Sequence, residues 1–159
     1  MDILLKYTLK KIQEQTSLIP NINYGGCCHF AKLLAKELEN REIKYKVALF
    51  DSFVPIKKVA NSIKTFKQSL GVGHVTLKIG KYYVDSECTS RNTDDITANI
   101  SESELSQCFL INYKQLKKYS ETIEWNSRFN KRKYHPIISK IITQQFKIYD
   151  KLQNDRKQY

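Results

Sequence analysis

The sequence predicts an α+β fold, with helices laid against a small antiparallel sheet. Three observations predict it. Apolar residues recur at helical spacing near both ends of the chain, and a two-residue Gly80-Lys81 loop joins two alternating runs in the middle. The length of 159 residues, 41% of them hydrophobic, suits one domain with a sizeable core.

Leu4, Leu5, Thr8, Leu9 and Ile12 place an amphipathic helix over residues 2–16. Pro20 and the turn-rich Asn21-Ile22-Asn23-Tyr24-Gly25-Gly26 end it. A second helix is expected from Cys27 to about Asn40, with Phe30, Ala31, Leu34 and Leu38 inward. Ile43 to Phe50 reads as a buried strand. Pro55 is placed to start a helix whose face is Ile56, Val59, Ile63, Phe66 and Leu70, ended by Gly71 and Gly73.

Residues 73–87 then form a hairpin, with Gly80 at the first central position of a type II′ turn. Residues 88–100 read as a polar loop. Ser101-Glu102-Ser103-Glu104 is a capping box opening a helix through Leu105 and Phe109. After a break at Trp125-Asn126, His135-Pro136 precedes a last helix over about 136–154, with Ile137, Ile138, Ile141, Ile142 and Ile148 on its apolar side.

Charge divides the chain. Residues 1–110 carry 15 basic and 12 acidic groups, net +3, whereas residues 111–159 carry 12 and 4, net +8. The expected organisation is a domain over 1–110 and a basic helical extension over 111–159 packed on it. The extension is either a solvated face or a surface for an anionic partner such as nucleic acid. Within it, Arg128, Lys131, Arg132 and Lys133 alternate with Phe129 and Tyr134, a pattern suited to phosphates and stacked bases, without a groove-reading motif.

No apolar run reaches the roughly 20 residues of a membrane span, so no membrane partner is expected. Met1-Asp2-Ile3-Leu4-Leu5-Lys6 is too short and too soon charged for a secretory signal. These features point to a cytoplasmic or intracellular protein with reduced thiols at Cys27, Cys28, Cys88 and Cys108. A zinc set from Cys27, Cys28, His29 and Cys88 lacks any Cys-x-x-Cys pair, so no metal or cofactor is expected.

Gly25-Gly26-Cys27 stands at the mouth of a helix, where unpaired N–H groups and the dipole favour a thiolate. The glycines allow a sharp turn and a close approach. Cys28 points about 100° away round the helix and suits the core, and His29 faces away from Cys27. A thiolate nucleophile needs a base and the base needs an orienting acceptor. In the hairpin register Ile79 opposes Tyr82, Leu77 opposes Val84 and Thr76 opposes Asp85. His74 and Asp85 then share a face as diagonal neighbours, with Glu87 as the rival acceptor.

Gly26-Cys27-Cys28-His29-Phe30-Ala31 with Leu33-Leu34 resembles the nucleophile helix of the transglutaminase-like proteins. Gly73-His74-Val75-Thr76-Leu77 and Tyr82-Tyr83-Val84-Asp85 resemble that superfamily's His and Asp strands. The second is also similar to the arylamine N-acetyltransferases, which share the papain-like core. The resemblance covers roughly residues 20–90. It departs where Asp85-Ser86-Glu87 replaces the common Asp-Pro or Asp-x-Gly, and the chain is much shorter than either family's larger members.

The resemblance implies a papain-like (transglutaminase-like) fold with Cys27 as nucleophile, His74 as general base and acid, and Asp85 as orienter. The Cys27 N–H is the first candidate oxyanion donor. Asn21 lies six residues before Cys27, where papain-like peptidases carry a Gln, and also suits a plain turn; Tyr24 and Gly26 are placed to border the substrate. The implied activity is a thiol peptidase or amidase acting on a peptide, protein or small amide. Acyl transfer to an amine, or a non-catalytic structural or nucleic-acid-binding module, are the rivals.

Overall fold

A computed structural model describes residues 1–23, 25–51, 72–91, 95–96, 107–122 and 129–158. Helix α1 (Ile3–Thr16) starts at Asp2, whose carboxylate accepts from the Leu4 and Leu5 N–H groups at 2.9 and 3.2 Å. Its buried stripe is Leu5, Leu9 and Ile12, at the spacing one helical face requires. Helix α2 (Cys27–Glu39) follows Gly26 directly and buries Phe30, Ala31, Leu34, Ala35 and Leu38.

Five strands follow: β1 (Lys46–Asp51), β2 (Val72–Ile79), β3 (Tyr82–Val84), β4 (Thr89–Ser90) and β5 (Gln107–Ile111). They form one antiparallel sheet in the order β4-β3-β2-β1-β5. Two helices complete the described chain, α3 (Tyr113–Thr122) and α4 (Lys131–Lys157). The architecture is mixed α and β, with helices against a small antiparallel sheet.

The main core lies between the sheet and the helices. Alternate residues of β1 and β2 (Val47, Leu49, Val75, Leu77) meet Leu9 and Ile12 of α1, Phe30 and Leu34 of α2, and Ile138, Ile142 and Phe146 of α4. A second cluster of Ala48, Phe50 and Ile96 gathers on the intervening positions, with Tyr83, Cys88 and Leu110 beside it. Both sets of strand positions are therefore buried near β1, so the sheet's second face is also covered there. Arg41 ties the end of α2 to α4. Its guanidinium grips Asp150 through Nε and Nη2, each at 2.7 Å, reaches Glu37 at 2.6 Å, and lies 4.5 Å from the Phe146 ring centroid.

The hairpin has the expected register, Leu77↔Val84, Lys78↔Tyr83 and Ile79↔Tyr82. Gly80 has φ +59° and Lys81 is not at positive φ, as a type II′ turn requires. Pairing stops at Val84, so Asp85 leaves the ladder. At the other end of β2, Phe50 pairs His74 and Asp51 pairs Val72, which leaves Gly73 as an extra residue beside His74. Such a bulge re-aims the neighbouring side chain.

Other expectations need correction. The strand expected from Ile43 begins at Lys46. The 88–100 loop contains β4, which pairs β3 and extends the sheet. Phe109 lies in β5, not in a helix, because the run Gln107-Cys108-Phe109-Leu110-Ile111 pairs the open edge of β1 along five residues. The pairing of a whole strand outweighs a local capping signal. The capping box itself and the helix expected at 55–70 lie outside the described residues.

The last helix starts at Lys131, not Pro136, capped by Asn130 accepting from the Lys133 N–H at 3.1 Å. Pro136 sits inside it. Of the isoleucines expected on the apolar side, Ile138 and Ile142 are buried, but Ile137 and Ile148 are 43% and 50% exposed. α4 also shares the main core with the first 110 residues.

Two glycines separate steric from conformational demands. A Cβ on Gly26 would stand 2.6 Å from the Ile22 carbonyl oxygen and 2.8 Å from Cδ2 of Phe129, whereas one on Gly80 meets nothing within 4 Å. Gly26→Ala is therefore expected to cost roughly 1–3 kcal/mol by overpacking. Gly80→Ala is expected to cost about 1 kcal/mol, from left-handed strain alone. Urea unfolding midpoints check both, and a larger cost for Gly80→Ala than for Gly26→Ala would contradict the assignment.

Candidate active site

Three elements meet at the site. α2 brings Cys27 at its first residue, β2 brings His74 beside the Gly73 bulge, and the chain leaving β3 brings Asp85. All three are buried, at 2%, 1% and 2% exposure. His74 Nε2 and Asp85 Oδ2 are 3.0 Å apart, the hydrogen bond the hairpin register anticipates. Glu87, the rival acceptor, has an exposed side chain, and its backbone N–H donates to Asp85 Oδ1 at 2.8 Å.

Asp85 is oriented by a complete set of partners. Oδ1 accepts from the Glu87 and Cys88 N–H groups, both at 2.8 Å, which leaves Oδ2 for His74. The Asp85 N–H closes the turn onto the Cys88 carbonyl at 3.1 Å. The loop before α2 is tied to this turn, because Ser86 Oγ donates to Asn23 Oδ1 at 2.8 Å.

The other ring nitrogen of His74, Nδ1, is buried and has no hydrogen-bond partner among the described residues. The Cys27 thiol nonetheless acts on the ring. Burial by itself lowers a histidine's pKa, but the Asp85 hydrogen bond and the neighbouring Cys27 outweigh it and raise that of His74 to about 10. The imidazole is thereby held as imidazolium at neutral pH. Cys28 differs: burial, and then the adjacent Cys27, push its thiol up to about 12, as befits a core residue. Cys88, half-buried beside Asp85, is also pushed up to about 12, by burial first and the nearby carboxylates next.

The remaining candidates are placed as follows. Asn21 is a left-handed turn residue with φ +58°. The space beside Gly26 is filled by Ile22 and Phe129. Tyr24 lies outside the described residues, as does Arg128. Lys131, Arg132 and Lys133 are exposed on the first turn of α4. The expectation that Phe129 stands free among them to stack on bases is corrected. It is 2% exposed, stacked on His29 with ring centroids 5.5 Å apart. His29 faces α4, with His135 at 6.1 Å, and burial with the nearby Lys131 and His135 lowers its pKa to about 4.

Sequence reasoning missed Gln13 and Thr16 of α1, which hydrogen-bond to the turn carrying Asp85. The available signal was a Gln and a Thr on the buried side of a helix whose neighbours there, Leu9 and Ile12, are apolar. No cluster of three His, Cys, Asp or Glu side chains among the described residues is arranged to hold a metal ion. No helix among them is long and apolar enough to cross a membrane.

This arrangement defines a class of site: a thiol at a helix start, an imidazole against it and a carboxylate behind the imidazole. No family model matches the chain, and no curated protein or solved structure matches it either.

The raised His74 pKa has a stability consequence. Its contribution is fully present below the ordinary value of 6.5 and is lost as pH rises through about 10. Asp85→Ala removes that contribution and leaves a buried imidazole unpaired, costing roughly 3–5 kcal/mol near neutrality. Urea unfolding of both proteins should show the gap narrowing between pH 6.5 and 10. A constant gap would contradict the linkage.

Proposed function

We propose that the chain is a Cys-His-Asp thiol enzyme with a papain-like, transglutaminase-like arrangement, acting on an amide or ester carbonyl through a thioacyl intermediate. The observation that carries this reading is the buried 3.0 Å contact between His74 and Asp85, with Cys27 also acting on the His74 ring. A structural histidine needs no thiol at its second nitrogen. A catalytic one needs both partners, in that order.

The chemistry follows from the protonation states. The doubly protonated His74 carries one proton on Nε2, toward Asp85, and one on Nδ1, the nitrogen left for the reaction. Sγ attacks the carbonyl carbon, and the carbonyl π electrons move onto oxygen. The N–H groups of the first turn of α2 have no partner within the helix, and that of Cys27 is the candidate donor to the oxyanion. As the tetrahedral species collapses, the bond to the leaving group breaks and His74 Nδ1 supplies its proton. Water, activated by the now neutral His74, attacks the thioester and regenerates Cys27. An amine in place of water would give acyl transfer at the same site. Hydrolysis of a peptide, protein or small amide ranks first and transfer second.

Iodoacetamide labelling with peptide mapping tests the pair. At pH 6, Cys27 is expected to react at least about a hundredfold faster than Cys88, whose thiol is pushed up to about 12. His74→Ala should slow Cys27 alone, by roughly 100-fold or more. With p-nitrophenyl acetate, a burst of one nitrophenolate per chain should appear and vanish in Cys27→Ala. Equal labelling of the two thiols, unchanged by His74→Ala, would overturn the proposal.

A further inference from the structure

The strand that carries Asp85 does not hold it. β3 ends at Val84, and the turn from Asp85 to Cys88 lies beyond the last ladder pair. What holds the turn comes from a helix some 70 residues earlier in the chain. Gln13 Nε2 donates to the Asp85 carbonyl at 2.9 Å and to the Cys88 carbonyl, and its amide also meets the Thr89 hydroxyl at 3.0 Å. One helical turn on, Thr16 Oγ1 lies 3.0 Å from the Ser86 carbonyl and 3.0 Å from the Ile12 carbonyl of its own helix. Gln13 is 7% exposed and Thr16 fully buried.

We propose that Gln13 and Thr16 are positioning residues that set the orientation of the Asp85 carboxylate, and through it the alignment of His74 with Cys27. The assignment rests on reading those three residues as a thiol-enzyme triad.

The carbonyls that α1 grips belong to Asp85, Ser86 and Cys88, and the N–H groups of Glu87 and Cys88 within the same turn grip Asp85 Oδ1. Rotation of the turn would therefore carry the carboxylate with it. An apolar helix face would cover the turn equally well but would leave the Asp85 and Ser86 carbonyls without these donors, a costly outcome in a buried site. Two polar side chains on the buried side of α1 meet that need, whereas a third there, Thr8, donates to the Leu4 carbonyl of its own helix. Among the described residues, the titratable groups acting on His74 are Cys27 from α2 and Asp85 from the turn, whereas α1 reaches the turn with neutral groups. Gln13 and Thr16 thus act on His74 only through Asp85.

The test is the pH profile of Cys27 carboxymethylation by iodoacetate, read by peptide mapping on the full chain. The anionic reagent is drawn to the imidazolium, so the alkaline limb reports the loss of the His74 proton. In the wild type that limb is expected near pH 10. Gln13→Leu and Thr16→Val, checked for the native near-ultraviolet circular dichroism, should move it acidward by about one unit, making Cys27 about twofold slower at pH 9. Thr16→Ser keeps the hydroxyl and should retain the wild-type limb.

A stability role alone would lower unfolding midpoints without moving the limb, and that result in folded variants overturns the assignment. If Gln13→Leu does not fold, the Val and Ser variants of Thr16 decide. A wild-type profile with no limb, identical to that of His74→Ala, would instead bring down the triad reading itself, and this assignment with it.

Discussion

The contact between His74 and Asp85 is the constraint around which the rest of the molecule is arranged. An ionisable pair at 1% and 2% exposure is costly to bury, and it persists only where every other lone pair and proton is satisfied. Asp85 meets that condition, with two backbone N–H groups on one oxygen and the imidazole on the other. His74 meets it on one side only. Its Nδ1 is buried, lacks a hydrogen-bond partner among the described residues, and shares its surroundings with Cys27. In the proposed reading, Nδ1 is the nitrogen at which His74 exchanges a proton.

Several features of the fold make sense as supports for this pair. The Gly73 bulge sits directly beside His74 in β2. Gly26 lets the chain approach Ile22 and Phe129 closely enough for α2 to start where it does. The Ser86–Asn23 hydrogen bond links the loop before the thiol to the turn that carries the carboxylate. α2 packs on β2 on one side and on α4 on another, and α4 packs in turn on α1, so the helix that starts at Cys27 is held from the sheet and from a helix alike.

Much of this was legible in the sequence, for local reasons. The hairpin register follows from a turn that requires glycine at one position, and extending it past Val84, where the ladder itself stops, puts Asp85 on the His74 face. The helix boundaries at Thr16 and Cys27 follow from periodicity and from the Pro20 to Gly26 breakers. What was not legible depended on distant partners. β5 carries a capping signal just upstream, and only the free edge of β1 makes it a strand. The start of α4 is hidden because Pro136 resembles a helix opening, while Asn130, though a favoured cap, precedes a polar run without apolar periodicity. Phe129 looked like a stacking residue beside lysines until α2 was packed against it. Gln13 and Thr16 were the least visible, since their partners lie about 70 residues away.

The central claim is an electrostatic one: a buried imidazole kept charged by a carboxylate on one side and a thiol on the other. Nuclear magnetic resonance of the ring nitrogens, with histidine labelled in 15N, reads this directly. The account predicts that His74 in the resting protein is doubly protonated at pH 7 and titrates near pH 10, and that Cys27→Ser lowers that value. A neutral His74 ring at pH 7, or titration near 6.5 that Cys27→Ser leaves unchanged, would contradict it.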